Sequence, residues 1–544
     1  MSNRYIVSEQ KRKYKYFVVG FEYDPDLVEQ VKKIPSAEFD AKNKAWYVRF
    51  THASAPYVYK LITDYGFEAT EDVLDDIQHI IKQKKVLHRL SNAEDADIDL
   101  PDLPFDLYPF QKAGVKYMVS AKKCFNGDDM GLGKTVQALA SMEMVGAYPH
   151  IVICPAGVKK KWRKEANKWL PHRSSSILND LNFSYHHDIM ILNYEVILKY
   201  LVREDKFEEK NNKYHIREQI KRANIQGMSV DECHYTKNRT SKRTQAVKAL
   251  SKEMEYVWML SGTIIENRPK EFITQLQILD RLSDFGGYQH FIKRYCDAEM
   301  QWHGHMDKDG ASNLKELNRK LRECCLVRRK KEEIESQIPD KLPPRKIKLD
   351  IDTWDDYQLA ENNIFRYLEK DRSRKEGNTF DFYDESRAEK RELTEEAIEL
   401  QIINALRKIT ALGKIDEGIE WIRKFLKHKD KLVVFAHHKE VQRRLVKAFP
   451  NCAKILGGMS TTERNRNEML FQDNKDCPLI VCSLKAANMG IDLFASHSVL
   501  FFELGWTPSI HEQAGDRCHR IGQTEDVQPY YLLGKDTIDI DMFE

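Results

Sequence analysis

A chain of 544 residues is longer than one hydrophobic core supports, so three or four domains are expected, and 42% apolar residues allow each a sizeable core. Lysine and arginine number 87 against 84 aspartate and glutamate, a net charge of +3, which excludes a globally polyanion-seeking surface and leaves any nucleic-acid contact to local patches. Ten cysteines without a Cys-x-x-Cys pair exclude a zinc or disulfide framework and suit a reducing compartment. No apolar run approaches the ~20 residues of a membrane span, and Met1 to Gln10 lacks an apolar signal core, so a soluble, intracellular protein is expected.

Residues 1–98 read as a small separate module. Tyr16 to Tyr23 is rich in β-formers, Asp26 to Ile34 has helical spacing, and Phe39 to Phe50 reads as a hairpin turning through Lys42-Asn43-Lys44. A helix from Pro56 to Tyr65 stops at Gly66, and Glu71 to Leu90 is amphipathic. Lys11, Arg12, Lys13 and Lys15 interleave with Tyr14 and Tyr16, and Trp46 follows Lys42 and Lys44. Bases could stack on such rings while the cations meet phosphates; the alternative is a small core with a solvated basic rim. The acidic, proline-bearing stretch Asn92 to Pro104 reads as a linker.

From Leu107 the pattern becomes alternating strand and helix. The stretch Gly127-Asp128-Asp129-Met130-Gly131-Leu132-Gly133-Lys134-Thr135 has the makings of a triphosphate cradle. Its glycines allow a tight turn whose N–H groups meet phosphate, Lys134 adds a charge, and the Thr135 hydroxyl sits where Mg²⁺ would bind. Asp128 stands where the usual spacing has a glycine, so the match is partial. Four apolar runs follow, 150–154, 188–192, 228–230 and 256–260, each ending in polar residues, which is the form of a parallel sheet with ligands beyond its carboxyl ends. Three more, 431–435, 478–482 and 498–502, make a second lobe. The chain therefore divides into 1–98, a first lobe 99–285, a charged helical stretch 286–410 without a strand series, and a second lobe 411–544.

Phosphoanhydride hydrolysis needs one carboxylate to hold Mg²⁺ and another to orient the attacking water; Asp231-Glu232 at a strand end can do both, the alternative being an exposed acidic turn, and its place downstream of the glycine-rich loop favours the first. Arg517 and Arg520, three apart and on one face if helical, lie in the second lobe. They are either a solvated pair or arginine fingers that reach the γ-phosphate when the lobes close. Lys159-Lys160-Lys161-Trp162-Arg163-Lys164, just past a strand end, reads either as a solvated helix start or as a contact to a phosphate backbone, and Arg328-Arg329-Lys330-Lys331 reads similarly. His437-His438 lacks a third ligand nearby and reads as strand-end or nucleic-acid-facing residues rather than a metal site.

Together these motifs resemble the helicase-like ATPases of superfamily two, of the Swi/Snf type, and their details resemble the annealing-helicase (HARP) branch. Gln111 in Leu107-Tyr-Pro-Phe-Gln111 resembles the adenine-recognising glutamine, 128–135 motif I, Asp231-Glu232-Cys233-His234 motif II, and Ser261-Gly262-Thr263 motif III. Ser483 to Asp492 resembles motif V and Gln513 to Gln523 motif VI; Asn267-Arg268-Pro269-Lys270-Glu271 and Phe435-Ala436-His437-His438-Lys439 are similar to the branch. The resemblance spans about 105–535 and, more weakly, 1–95 through Phe39-Asp40 and Trp46. It implies an α/β fold of two RecA-like lobes with helical insertions and a small α+β module. ATP and Mg²⁺ are the implied cofactors, with Lys134, Asp231, Glu232, Arg517 and Arg520 catalytic, and Thr135 and Asp231 on the metal. Gln111, Asp128, Asp129, Met130, Gly131, Leu132, Gly133, Lys134, Thr135, Gly490 and Asp492 would bind nucleotide; Lys159, Lys160, Lys161, Asn193, Thr263, His437, Ser483 and Asn488 would touch DNA. His234, Ser261 and Gln513 would couple the two.

The implied activity is DNA-dependent ATP hydrolysis driving translocation on double-stranded, forked or branched DNA, with annealing or fork remodelling in repair or replication. An ATP-gated DNA clamp and a strand-separating helicase are the competing readings. Single-strand-binding or replication proteins are implied as partners to a monomer, in a cytoplasm if bacterial or viral and a nucleus if eukaryotic. Cys233, Ile264 and Gly515 depart from the usual alanine, proline and acidic residue, and none removes a catalytic group. Such proteins usually continue beyond the position of Glu544 with a bracing helix, so a truncated or minimal version is expected. The segment Arg366 to Glu392 reads as a protruding, charge-rich insertion.

Overall fold

A computed structural model describes residues 4–11, 14–179, 187–197, 223–262, 269–297, 299–300, 306–307, 310–337, 339–376, 395–428, 431–484 and 491–544. The chain divides into two compact units, Met1–Ile334 and Glu335–Glu544.

The first unit begins with strands β1 (Arg4–Lys11), β2 (Tyr14–Phe21), β3 (Ala37–Asp40), β4 (Ala45–Arg49) and β5 (Glu68–Ala69), in the order β3-β4-β2-β1-β5. Only the β1–β5 pair is parallel. Period-two alternation sends Ile6, Phe17, Val19 and Val48 to one face. There they meet Leu27 and Val31 of α1 (Pro25–Lys32), Val58 and Leu61 of α2 (Ala55–Tyr65), and Val73, Ile77 and Ile80 of α3 (Glu71–Ser91). The Asp24 carboxylate caps α1, and Gly66, at φ 69°, ends α2. The helix, hairpin and turn positions match the sequence reading, whereas β1 was not foreseen. Trp46 is opposite Val19 and Phe39, so it lies on the helix-covered side and packs against the core, its ring 5.3 Å from that of Phe39. Tyr5, Tyr16, Tyr47, Arg49, Lys11 and Tyr14 share the other face.

The ATPase-like sheet of this unit contains β6 (Lys123–Asn126), β7 (His150–Cys154), β8 (Ser175–Ile177), β9 (Ile189–Asn193), β10 (Gly227–Asp231), β11 (Tyr256–Leu260) and β14 (Leu326–Val327). A small antiparallel pair, β12 (Glu299–Met300) and β13 (Met306–Asp307), stands apart from it. Its order is β14-β6-β11-β10-β7-β9-β8, with every pair parallel, so all carboxyl ends open on one edge. The strands β7, β9 and β10 are near-continuous apolar runs because both sheet faces are covered. Covering helices include α4 (Pro109–Ala121), α5 (Lys134–Val145) and α6 (Lys159–Trp169). Leu87 and Leu90, at the end of α3, belong to this second core, so α3 serves both cores of the unit.

The second unit has six strands, β15 (Arg345–Leu349), β16 (Leu432–Ala436), β17 (Ala453–Ile455), β18 (Leu479–Ser483), β19 (Ser498–Phe501) and β20 (Gln528–Gly534). They are all parallel, in the order β15-β20-β19-β16-β18-β17. Neighbouring residues alternate between two cores: Val433, Phe435, Ile480 and Cys482 on one side, Leu432, Val434, Leu479 and Val481 on the other. The stretch 286–410, expected to lack strands, supplies β14 to the first sheet and β15 to the second. Both are edge strands, one only two residues long and the other alternating basic and apolar side chains, so neither carries the apolar run of a central strand.

Candidate functional site

The phosphate loop leaves β6 at Gly127 and enters α5 at Lys134. Gly131 (φ 88°) and Gly133 (φ 72°) occupy the left-handed region that a Cβ disfavours. Gly133 is the N-cap of α5 and no side chain caps the helix, so the first-turn amides, which have no acceptor within the helix, are available to an anion. The loop is braced from within. The Asp128 amide donates to Asn126 Oδ1 (3.1 Å), the Asp129 amide to the Arg329 carbonyl (3.0 Å), and the carbonyls of Asp128 and Asp129 accept from the Lys134 ammonium at 2.5 and 3.0 Å. The Gln111 amide group, buried at the start of α4, donates to the Leu132 carbonyl (3.2 Å).

Asp128 was expected to serve nucleotide directly, but its side chain faces inward. Fully buried, the carboxylate accepts from Gln137 Nε2 (2.9 Å), the Arg329 amide (2.9 Å) and Arg329 Nη1 (3.3 and 3.4 Å). Arg329 is 2% exposed, so this residue of the run Arg328 to Lys331 is not the open DNA contact its composition implied, while Lys330 is exposed. Asp129 likewise turns toward this run: its carboxylate accepts from the Lys331 amide (3.1 Å) and lies 3.9 Å from Arg328.

Beside the loop, β10 ends in Asp231-Glu232 and β11 in Ser261-Gly262. A Cβ on Gly262 would come within 2.7 Å of the Met130 side chain and 3.4 Å of Lys134 Nζ, so motif III lies against the phosphate loop. Burial first, and the neighbouring Glu232 charge second, push the Asp231 carboxyl up to about 6. Burial pulls the Lys134 ammonium below its usual range, opposed by Glu232, Asp128, Asp231 and Asp129. Glu232 takes φ 49°, a left-handed conformation stored at the residue read as the water-orienting carboxylate. His234 Nδ1 is 3.3 Å from Glu232 Oε2 and 3.4 Å from Ser261 Oγ, which joins motifs II and III. The Thr135 hydroxyl and the half-buried Asp231 carboxylate are oxygen donors of the kind Mg²⁺ takes, and Mg²⁺ commonly binds one or two protein groups together with phosphates and water.

Two side chains at this edge were not foreseen. The indole Nε1 of Trp162, buried on the basic helix α6, donates to Asp231 Oδ2 at 2.8 Å, and the Tyr194 hydroxyl donates to the Asp231 carbonyl at 2.7 Å. The Lys159 ammonium donates to Asn193 Oδ1 (3.0 Å), placing two expected DNA contacts side by side, while Lys160 is exposed and Lys161 half-buried.

In the second unit the helix Pro508–Gly515, which holds Gln513, stops before the arginines, so Arg517 and Arg520 lie on a turn rather than on one helical face. Arg517 is 5% exposed; Arg520 pairs with Asp492 and donates to the Ile491 carbonyl at 3.1 Å. Gln523 is a turn-holder whose amide donates to the carbonyls of Phe494, Ser496 and Cys518. At the carboxyl end of β16, the amides of His437 and His438 donate to Glu503, as does the His438 ring. Burial would raise Glu503, yet His438 and these amides hold it below its ordinary range. Ser483 is buried at the end of β18. Thr263, Asn488 and Gly490 lie outside the described residues.

These features agree with comparisons to known proteins. The SNF2-related domain matches residues 110–395, and the helicase conserved C-terminal domain matches 417–522. The SWI/SNF-related matrix-associated actin-dependent regulator of chromatin subfamily A-like protein 1 of Xenopus laevis is 32% identical over 470 residues, 84% of this chain and 45% of that protein. The DNA annealing helicase and endonuclease ZRANB3 of Homo sapiens is 29% identical over 484 residues, 85% of this chain and 42% of that one. The chain thus spans less than half the length of these two relatives. The SWI2/SNF2 ATPase core of Sulfolobus solfataricus, solved in complex with dsDNA, is similar at 24% identity and a TM-score of 0.39, covering 82% of this chain and 92% of that one. Because the first domain takes in more than half of its residues, the chain belongs to the SNF2-related family of helicase-like ATPases.

Proposed function

We propose that the chain hydrolyses ATP to move on double-stranded, forked or branched DNA and to reanneal or remodel its strands. The observation that carries this reading is the bond from Trp162 to Asp231. The same helix presents Lys159, Lys160 and Lys161, so a phosphate backbone drawn to its lysines acts on the element that holds the carboxylate of motif II. Backbone contacts are indifferent to sequence, which suits translocation, since base-specific contacts would pin the protein at one register. The annealing part is supported by the likeness to a relative described as a DNA annealing helicase.

Within this mechanism Lys134 and the first turn of α5 bind the phosphates, Thr135 and Asp231 would hold Mg²⁺, which would supply charge neutralisation to the phosphates, and Glu232 orients the attacking water. Arg520 supplies positive charge to the phosphate being transferred, giving up Asp492 to do so, with Arg517 beside it in the same turn. In the N-terminal module, DNA meets the sheet face opposite that packed by α1, α2 and α3. There the Tyr5 ring covers Gly20, Lys11 lies 3.3 Å from the Tyr47 ring centre, and Arg49 lies 3.8 Å from that of Tyr14.

ATP turnover measured without DNA, with duplex and with a fork tests the reading, alongside ATP-driven reannealing of an opened duplex. Stimulation by duplex or fork together with reannealing is expected. Tight ATP binding without stimulation by any DNA would favour a clamp, and net strand displacement from a tailed duplex would favour a separating helicase.

A further inference from the structure

Helix α3 ends beside the phosphate loop. Its last carbonyls, which helix geometry leaves without donors of their own, are taken up by two arginines. Arg322 Nη1 donates to the Ser91 carbonyl and hydroxyl (both 3.0 Å) and to Asn92 Oδ1 (3.1 Å). Arg329 donates through Nη2 to the Leu90 carbonyl (3.2 Å) and through Nε to the Ala93 carbonyl (2.9 Å). Its remaining nitrogen, Nη1, faces the Asp128 carboxylate. One guanidinium thus joins the end of α3, the residues after β14 and the first turn of the phosphate loop. A planar fork makes three such contacts at once, whereas an ammonium group cannot span them.

We propose that Arg329 is a positioning residue for the phosphate loop, through which the N-terminal module, by the seating of α3, sets the loop's hold on nucleotide. The mechanical path is short. α3 is packed into the module through Val73, Ile77 and Ile80 and into the lobe through Leu87 and Leu90. Arg329 fixes the Asp128 carboxylate, and the carbonyl of that same Asp128 accepts the Lys134 ammonium. A shift of α3 therefore reaches the lysine that serves ATP through one buried side chain, where surrounding water screens little. The network has no slack. A Cβ on Gly114 would lie 1.9 Å from Gln137 Oε1 and 3.2 Å from Arg329 Nη1, so Gln137, the other partner of Asp128, is held as tightly. This inference rests on the phosphate-loop assignment and not on the DNA reading.

The test uses the full chain with Arg329→Lys and, separately, the charge-balanced pair Asp128→Asn with Arg329→Met. Fluorescent N-methylanthraniloyl-ATP reports affinity, thermal unfolding reports folding, and hydrogen exchange follows residues 88–94 and 127–135 with and without that nucleotide. Arg329→Lys keeps a positive charge for Asp128 but loses the span. It should weaken nucleotide binding about tenfold and abolish the nucleotide-induced protection of 88–94, with protection of 127–135 remaining at saturation. The double variant leaves no unpaired buried charge, so it should unfold near the wild-type temperature and still bind weakly. Wild-type affinity in the double variant, or 88–94 still protected on nucleotide binding in Arg329→Lys, would overturn the proposal and leave the pair a packing element.

Discussion

The two parallel sheets hold the charged residues at their edges differently. At the edge of the first, the charges sit in a wired interior: Lys134 is tied to two loop carbonyls, Asp128 to Arg329 and Gln137, and Asp231 to Trp162. At the edge of the second, Arg520 is engaged by a local carboxylate, Asp492, and sits on a turn rather than a helix. In the proposed mechanism the first arrangement is preorganised to receive charge, whereas the second has to exchange one anion for another. On that proposal the phosphate loop depends on its internal supports, whereas Arg520 depends on its competitor.

The largest effect expected is at the first sheet. Glu232→Gln should lower turnover by about a thousandfold or more while nucleotide still binds, and Lys134→Ala should remove both. Steady-state hydrolysis and nucleotide fluorescence check this, and near-normal turnover by Glu232→Gln would break the assignment. Arg520→Ala should follow, with turnover down about a hundredfold and nucleotide affinity close to wild type, because its charge matters mainly in the transition state. Comparable losses of affinity and turnover would mean that the second sheet, like the first, already holds nucleotide in the ground state.

Trp162→Phe keeps the ring and removes one N–H donor, so DNA-stimulated turnover should drop roughly tenfold, in line with a lost hydrogen bond to a charged group. An unchanged ratio of DNA-stimulated to basal turnover would separate α6 from catalysis. The smallest effect concerns pH. Because Asp231 titrates near 6 when folded and near 3.8 when unfolded, the folded state binds the extra proton between those values. Stability from this group is greatest below about 4 and is lost as pH rises through about 6. Asp231→Asn should flatten that slope and, without Mg²⁺ or nucleotide, stabilise the protein at pH 7.5 by ~1 to 2 kcal/mol. Urea midpoints at pH 5 and 7.5 measure it.

Much of this comparison is legible in the amino-acid order. Apolar runs closed by polar residues mark the central strands, and Gly131, Gly133, Lys134, Asp231 and Glu232 announce themselves by chemistry at fixed spacing. Burial of charge does not. The run Arg328 to Lys331 has the composition of a solvated patch, and only the pairing of β14 with β6 brings Arg329 to Asp128, 201 positions earlier. Trp162 reads as an aromatic among lysines, and its indole partner is set by the sheet order rather than by neighbours in sequence. Trp46 reads as a stacking surface, but register sets it opposite Val19 and Phe39, on the helix-covered side. Gly515 closes a helix that spacing alone extends through Arg520.

The sharing of α3 between two cores bears on how such chains can be recombined. By composition the natural seam is the acidic stretch 92–104, the place to exchange a module between relatives without touching either fold. A break there would carry away Leu87 and Leu90 and leave Arg322 and Arg329 without the carbonyls of Leu90, Ser91 and Ala93. A chimera has to be joined ahead of residue 87, inside a continuous helix and in phase with its turns. The last helical turn of the module is thus inherited with the ATPase, and an N-terminal module can be traded only by a donor whose helix enters at the same angle.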